Sequence, residues 1–158
     1  FKYLYLKKLN AKISVNKEVQ EFNMKKAVEY FMQGYSCSES VIKAAIDKGL
    51  VHESVLPLAT AFSGGIGSGC LCGAVAGMEI IIGAMYGRDD KERDGKKARA
   101  LAKQSVEMFK AKNKATCCRV LTAGLIMASP ERKQHCSKMV SDCAEIIEEL
   151  LELNKTNA

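Results

Sequence analysis

LCGAVAGMEIIIGAMY, residues 71–86, is the stretch on which the fold turns. It is apolar almost throughout, and Glu79 is its one charged residue. A membrane-spanning helix needs about 20 consecutive apolar residues. The run falls short of that, so its length and composition predict a helix buried at the centre of a helical domain. Gly73, Ala76, Gly77 and Ala84 are small enough to let neighbouring backbones come close. Glu79, if buried on such a helix, requires a raised pKa or a cationic partner. Arg88 is the candidate partner; otherwise Glu79 marks the helix's wet side.

Working outward, SGGIGSGC at residues 63–70 is the most irregular segment of the chain and leads into the apolar helix. Upstream, a helix over 25–33 stops at Gly34, and Ser36-Cys37-Ser38-Glu39 forms a capping box that opens a helix through Asp47. Residues 54–62 predict a short helix. Downstream, residues 87–90 are a break, and 92–112 predict an amphipathic helix. Thr116 is placed to cap a short helix starting with Cys117 and Cys118. Ser129-Pro130-Glu131 opens the last helix, with proline at the first helical position. That helix is expected to reach Leu153, with Cys136, Val140, Cys143, Ile147 and Leu150 on one seam.

No segment alternates with period two, and helix formers dominate. The expected fold is therefore all-α: one compact multi-helix domain with a Gly-rich loop leading into a central buried helix. Residues 1–23 are expected to be an N-terminal extension, non-native or poorly ordered, because Met24 opens the first strong helical pattern. Residues 24–153 form the helical domain, and 154–158 a frayed C-terminus.

The net charge is +6 and is unevenly placed. The 91–114 segment is strongly basic, and the last helix is acidic. Aromatic residues make up only 6% of the chain, without the interleaving a single-strand binder uses, so nucleic acid is not the expected partner. The basic helix suits an acidic protein partner or is simply a solvated face. No membrane span is expected, and the pattern is compatible with a homo-oligomer.

The chain has seven cysteines, at positions 37, 70, 72, 117, 118, 136 and 143. The odd count, the helical pattern and the lack of a signal-like apolar core in residues 1–23 point to a reducing, cytoplasmic setting rather than a disulfide scaffold. Several of these cysteines fall at predicted helix starts, where the helix dipole favours thiolate. Thiolates serve three chemistries: iron–sulfur ligation, dithiol–disulfide exchange, and structural zinc. For exchange, Cys72 would pair with Cys70 or with a cysteine of another helix. Zinc sites usually use a Cys-x-x-Cys knuckle, and none occurs. Cys143, within an apolar seam, reads as a core residue, and so to a lesser degree does Cys117.

The backbone N–H groups around Gly64, Gly65, Gly67 and Gly69 are candidates to hydrogen-bond cofactor sulfur. The loop is not a phosphate loop: it ends in Ser68-Gly69-Cys70 where Gly-Lys-Ser/Thr is required. His135 and Cys136 are adjacent on a helix and do not face each other. His135 and His52 both read as exposed.

The order Cys37, then Gly-Gly-Ile-Gly, then Cys72-Gly-Ala-Val-Ala-Gly77, then Cys118-Arg-Val-Leu and Cys136-Ser-Lys-Met-Val resembles the redox-active protein family named for its C–GCAxxG–C–C pattern. The resemblance spans roughly residues 24–153. It matches the family cysteines to Cys37, Cys72, Cys118 and Cys136, with Cys70, Cys117 and Cys143 as extras. A related domain accompanies an iron–sulfur centre in split-Soret cytochromes, so the resemblance implies such a centre here, held by those four cysteines, and a role in electron transfer or redox sensing. The same residues fit a thiol–disulfide oxidoreductase, or a zinc-stabilised binding protein. The chain has no Cys-x-x-Cys-His, so c-type haem is not implied.

Overall fold

The computed structural model describes Met24 and residues 26–156. Seven α-helices form within them: α1 (Lys26–Gln33), α2 (Cys37–Asp47), α3 (Leu56–Thr60), α4 (Gly73–Tyr86), α5 (Lys96–Asn113), α6 (Cys118–Leu121) and α7 (Pro130–Thr156). Among the described residues there is no strand, only one antiparallel bridge between Leu71 and Cys117. The all-α expectation holds. Expectations about residues 1–23 lie outside the described residues. No helix among the described residues is long and apolar enough to cross a membrane.

The apolar run becomes α4, and it sits at the centre, packed against α2, α5 and α7. Residues 73–78 together with Ile81 and Ile82 are buried. The contact with α2 is at backbone distance: a Cβ on Gly77 would lie 2.7 Å from the Ser38 carbonyl oxygen. Real Cβ atoms do not approach an oxygen so closely, so the α2–α4 crossing depends on that missing side chain. The Ser38 hydroxyl donates to the Ala59 carbonyl at 2.7 Å, tying the first turn of α2 to α3.

The other walls follow from helical periodicity. On α7 the expected seam is buried at Val140, Cys143, Ile147 and Leu150, and Met139 and Ile146 widen it. On α5, Leu101, Ser105 and Phe109 face inward. Phe109 is fully buried, and burying such a side chain contributes about 1.5–3 kcal/mol.

The capping box at the start of α2 is present: Ser36 accepts from the Glu39 N–H, and Glu39 accepts from the Ser36 N–H at 2.9 Å. At α7, the Ser129 hydroxyl accepts from the Arg132 N–H at 3.1 Å, with Pro130 in the first turn. The helix continues through Thr156, beyond the expected Leu153.

Several boundaries differ from the sequence reading. α5 starts at Lys96 rather than near residue 92, because Asp90 and Asp94 use their carboxylates to bind the N–H groups of Glu92 and Lys96. Such side-chain turns compete with helix. The predicted 54–62 helix splits into a 3₁₀ turn (Glu53–Val55) and α3. His52 caps that turn by accepting the Ser54 N–H at Nδ1, a role its sequence context did not suggest. Thr116 caps nothing with its side chain. Its carbonyl instead accepts the Cys72 N–H at 2.7 Å.

Glu79 has no arginine partner. Its Oε1 accepts the Ser105 hydroxyl of α5 at 2.6 Å, and Arg88 turns to the Lys91 carbonyl. Burial pushes the Glu79 carboxyl up to about 7, opposed by the Ser105 hydrogen bond.

Candidate functional site

Cys37, Cys72, Cys118 and Cys136 come from four separate segments and line one cavity of about 390 Å³. Local rules place each one. Cys37 is the first residue of α2, behind its capping box. Cys72 is the N-cap of α4, and Cys118 is the first residue of α6. Cys136 lies in the second turn of α7.

Cys72 and Cys118 are brought together by the lone bridge. The Cys72 N–H donates to the Thr116 carbonyl, and the Cys118 N–H to the Cys70 carbonyl. Two short segments that would otherwise leave backbone groups unpaired thus fix each other. The Gly-rich segment closes behind them. Gly65 has φ +69°, and a Cβ there would stand 2.7 Å from Cys118 Cβ. Gly64 and Gly65 line the cavity; Gly67 and Gly69 do not. The segment 65–69 forms a wide turn in which Ile66, a β-branched residue, also has φ +59°.

The thiols are not alike. Cys37 and Cys136 line the same cavity, and each shifts the other. The neighbouring Cys136 thiol holds Cys37 in its protonated form, well above the usual thiol range, with burial adding to the effect. The neighbouring Cys37 thiol pulls Cys136 down to about 7 against the opposing effect of burial, helped by the charge of Arg132. Burial pushes Cys72 up to about 11, opposed only in part by the nearby Val75 and Ala74 N–H groups. Cys118 is also raised by burial, with Arg132 opposing. The expectation that helix starts turn these cysteines into ready thiolates is therefore corrected. At Cys72 burial outweighs the helix-start position and the nearby amide groups; the thiol that is shifted downward is Cys136, which is not at a helix start.

The remaining cysteines stand apart. Cys143 is fully buried in the core seam, as its spacing implied, and burial holds it well above the ordinary thiol value. Cys70 is exposed and is not among the cavity-lining residues, so it does not share the cavity with Cys72. The Cys117 thiol donates to the Gly69 carbonyl at 3.4 Å. His135 is half-buried rather than exposed, with its Nε2 buried and unpartnered.

Arg132 was missed by the sequence reading. Its Nη2 is 4.0 Å from the Cys118 sulfur, and its Nη1 reaches the Leu125 carbonyl at 3.5 Å. The signal was available: Arg132 precedes Cys136 by four residues, one helical turn, so the two share a face of α7.

The donor set can be tested against the groups it might hold. Zinc bound by thiolates sits about 2.3 Å from each sulfur, so its ligands crowd around one point. Among the described residues no three His, Cys, Asp or Glu side chains are gathered in that way. The four thiols are among the residues that line one cavity. An iron–sulfur cluster carries bridging sulfide between its irons and so spreads its terminal thiolates wider than a single ion does. An all-cysteine lining has the ligand chemistry that a cluster requires.

The fold is an all-helical domain in which four cysteines line one cavity. The chain belongs to the family described as "Putative redox-active protein (C_GCAxxG_C_C)", whose model matches residues 35–150. No curated protein and no solved structure matches the chain.

Proposed function

We propose that this protein is an electron carrier or redox sensor whose Cys37, Cys72, Cys118 and Cys136 hold an iron–sulfur centre. The observation that carries the reading is that these four thiols, from four segments, line a single cavity. Such a centre supplies one-electron oxidation and reduction at a potential set by its surroundings. The residues of the chain supply those surroundings. Cys72 is buried at the start of α4, with the Ala74 and Val75 N–H groups near its sulfur. The Arg132 guanidinium offsets negative charge at Cys118 and Cys136. The exposed lysines of α5, among them Lys103 and Lys110, suit an acidic electron-transfer partner, and free thiols suit a reducing cytosol.

Anaerobic reconstitution with iron and sulfide tests the reading. The expected result is bound iron and acid-labile sulfide with a visible charge-transfer spectrum. Alanine at any of the four cysteines should abolish it, and C143A should retain it. Failure of the wild-type protein to take up iron and sulfide overturns the proposal.

One observation favours a second reading. Cys37 and Cys136 line the same cavity and shift each other in opposite directions, Cys37 up and Cys136 down, as suits a dithiol–disulfide couple. The pair replaces the Cys70–Cys72 couple considered from the sequence. Mapping by differential alkylation after mild oxidation should find a reversible Cys37–Cys136 disulfide; its absence removes this reading.

A further inference from the structure

The cavity is charged on one side of the sign scale only. Its lining includes two cations, Arg132 and Lys133, and no Asp or Glu. Neither cation pairs with a carboxylate among the described residues. Arg132 reaches the Leu125 carbonyl and the Cys118 sulfur, and Lys133 reaches the Met32 carbonyl at 3.1 Å. A guanidinium presents a planar fork that matches a carboxylate. A cleft walled by apolar groups concentrates the field of such charges and raises the local concentration of anions. The volume, about 390 Å³, lies within the range of small-molecule sites, about 300–1,000 Å³.

We propose that the cavity, in its metal-free dithiol form, takes low-molecular-weight disulfides that carry carboxylates, with Arg132 and Lys133 holding the carboxylate while Cys136 and Cys37 react. This rests on the dithiol reading given above. The Cys136 thiolate attacks one sulfur of the bound disulfide. That S–S bond breaks, a mixed disulfide forms on Cys136, and the first carboxylate-bearing thiol leaves. Cys37 then attacks the Cys136 sulfur, the mixed disulfide breaks, and the second thiol leaves. In sum, two protein thiols are oxidised to one Cys37–Cys136 disulfide, one external disulfide is reduced to two thiols, and the two thiol protons end on the released thiols.

The test uses the full-length, reduced, metal-free protein under anaerobic conditions. Three disulfides of similar size serve as probes: dianionic dithiodipropionate, neutral bis(hydroxyethyl) disulfide and dicationic cystamine. Formation of the Cys37–Cys136 disulfide is followed by mass spectrometry. The expected order is dithiodipropionate, then the neutral probe, then cystamine, with about tenfold or more between the ends at low salt. Added salt should compress the order. R132Q and K133Q should each shrink the preference, and R132K should keep most of it. C37S should stop at the mixed disulfide on Cys136. Equal rates for the anionic and cationic probes, or an order unchanged in both R132Q and K133Q, overturns the proposal. If the neutral probe itself yields no Cys37–Cys136 disulfide, the dithiol reading fails instead. K133Q tests the point independently of any folding defect in R132Q.

Discussion

Gly65 and Cys118 touch where no side chain fits between them: a Cβ on Gly65 would stand 2.7 Å from Cys118 Cβ and 2.9 Å from the Cys70 backbone nitrogen. Gly65 also has φ +69°. Two separate penalties thus meet at one residue, and Gly64 separates them. Gly64 has φ +62° with nothing within 4 Å of its would-be Cβ. G64A should cost only the left-handed backbone term, roughly 1–2 kcal/mol. G65A adds the clash and should cost roughly 2–5 kcal/mol. Urea unfolding of the two variants measures the difference, and G65A should also lower iron uptake by displacing Cys118. Equal stabilities for the two would show that the contact with Cys118 is slack.

The Cys136 thiol is pulled down to about 7 from an ordinary 9.0. A lowered acid pKa means that thiolate appears at lower pH, so alkylation of Cys136 should rise through about pH 7 and level off above it. Cys72, pushed up to about 11, should stay slow across the same range. C37A removes the neighbouring thiol that lowers Cys136 and should move the Cys136 inflection upward. Site-resolved iodoacetamide labelling against pH reads all three. An inflection that stays put in C37A would assign the shift to Arg132 rather than to Cys37.

Much of the frame was legible because the signals were local. The capping box at Ser36 and Glu39 and the Ser129-Pro130 start act over three or four residues, and both formed. The apolar run over 71–86 could bury itself only at the centre. The site was half legible. The four cysteines of the ordered pattern line one cavity, but the surroundings that shift each thiol were not written in that pattern. Cys37 and Cys136 lie far apart in the chain, so their effect on each other depends on how α2 and α7 pack. Burial of Cys72 outweighs its favourable helix-start position, and burial is a tertiary quantity. Thr116 looked like a cap because caps are its usual use; the Cys72 N–H claims its carbonyl instead.

Glu79 makes stability depend on pH in a stated direction. Its folded pKa is raised from 4.5 to about 7. The group therefore contributes stability below its unfolded pKa, and that contribution is lost as pH rises through about 7. The carboxyl is partly solvent-facing, so the loss is discounted to roughly 1 kcal/mol. E79Q keeps an acceptor for the Ser105 hydroxyl and carries no charge. It should match the wild type near pH 5 and exceed it by roughly 1 kcal/mol at pH 8. Denaturant unfolding at the two pH values measures this. A wild-type advantage at pH 8 would mean that the charged carboxylate has a favourable partner.

Asp142 joins α7 to α5 at the edge of the core. It is buried, and its Oδ2 accepts from Asn113 Nδ2 at 2.8 Å and from Lys138 Nζ at 2.6 Å. Lys138 also donates to Asn113 Oδ1 at 2.9 Å, so the three side chains close a triangle. The Lys138–Asp142 pair alone is an ordinary i, i+4 pair on one helix, worth about 0.3–0.5 kcal/mol. The bond to Asn113 crosses between helices and occupies a buried carboxylate. D142A removes the shorter of the two acceptors of the Asn113 amide, which keeps the Phe109 carbonyl at 3.3 Å, and should cost about 1.5–3 kcal/mol. K138A removes only the exposed partner and should cost well under 1 kcal/mol. N113A and D142A should be strongly non-additive, because each removes the same bond. A double-mutant cycle by urea unfolding decides it. Additive effects would place the strength in the lysine pair, whereas strong coupling would identify the Asn113–Asp142 bond as the clamp that holds α5 against α7 near Cys143.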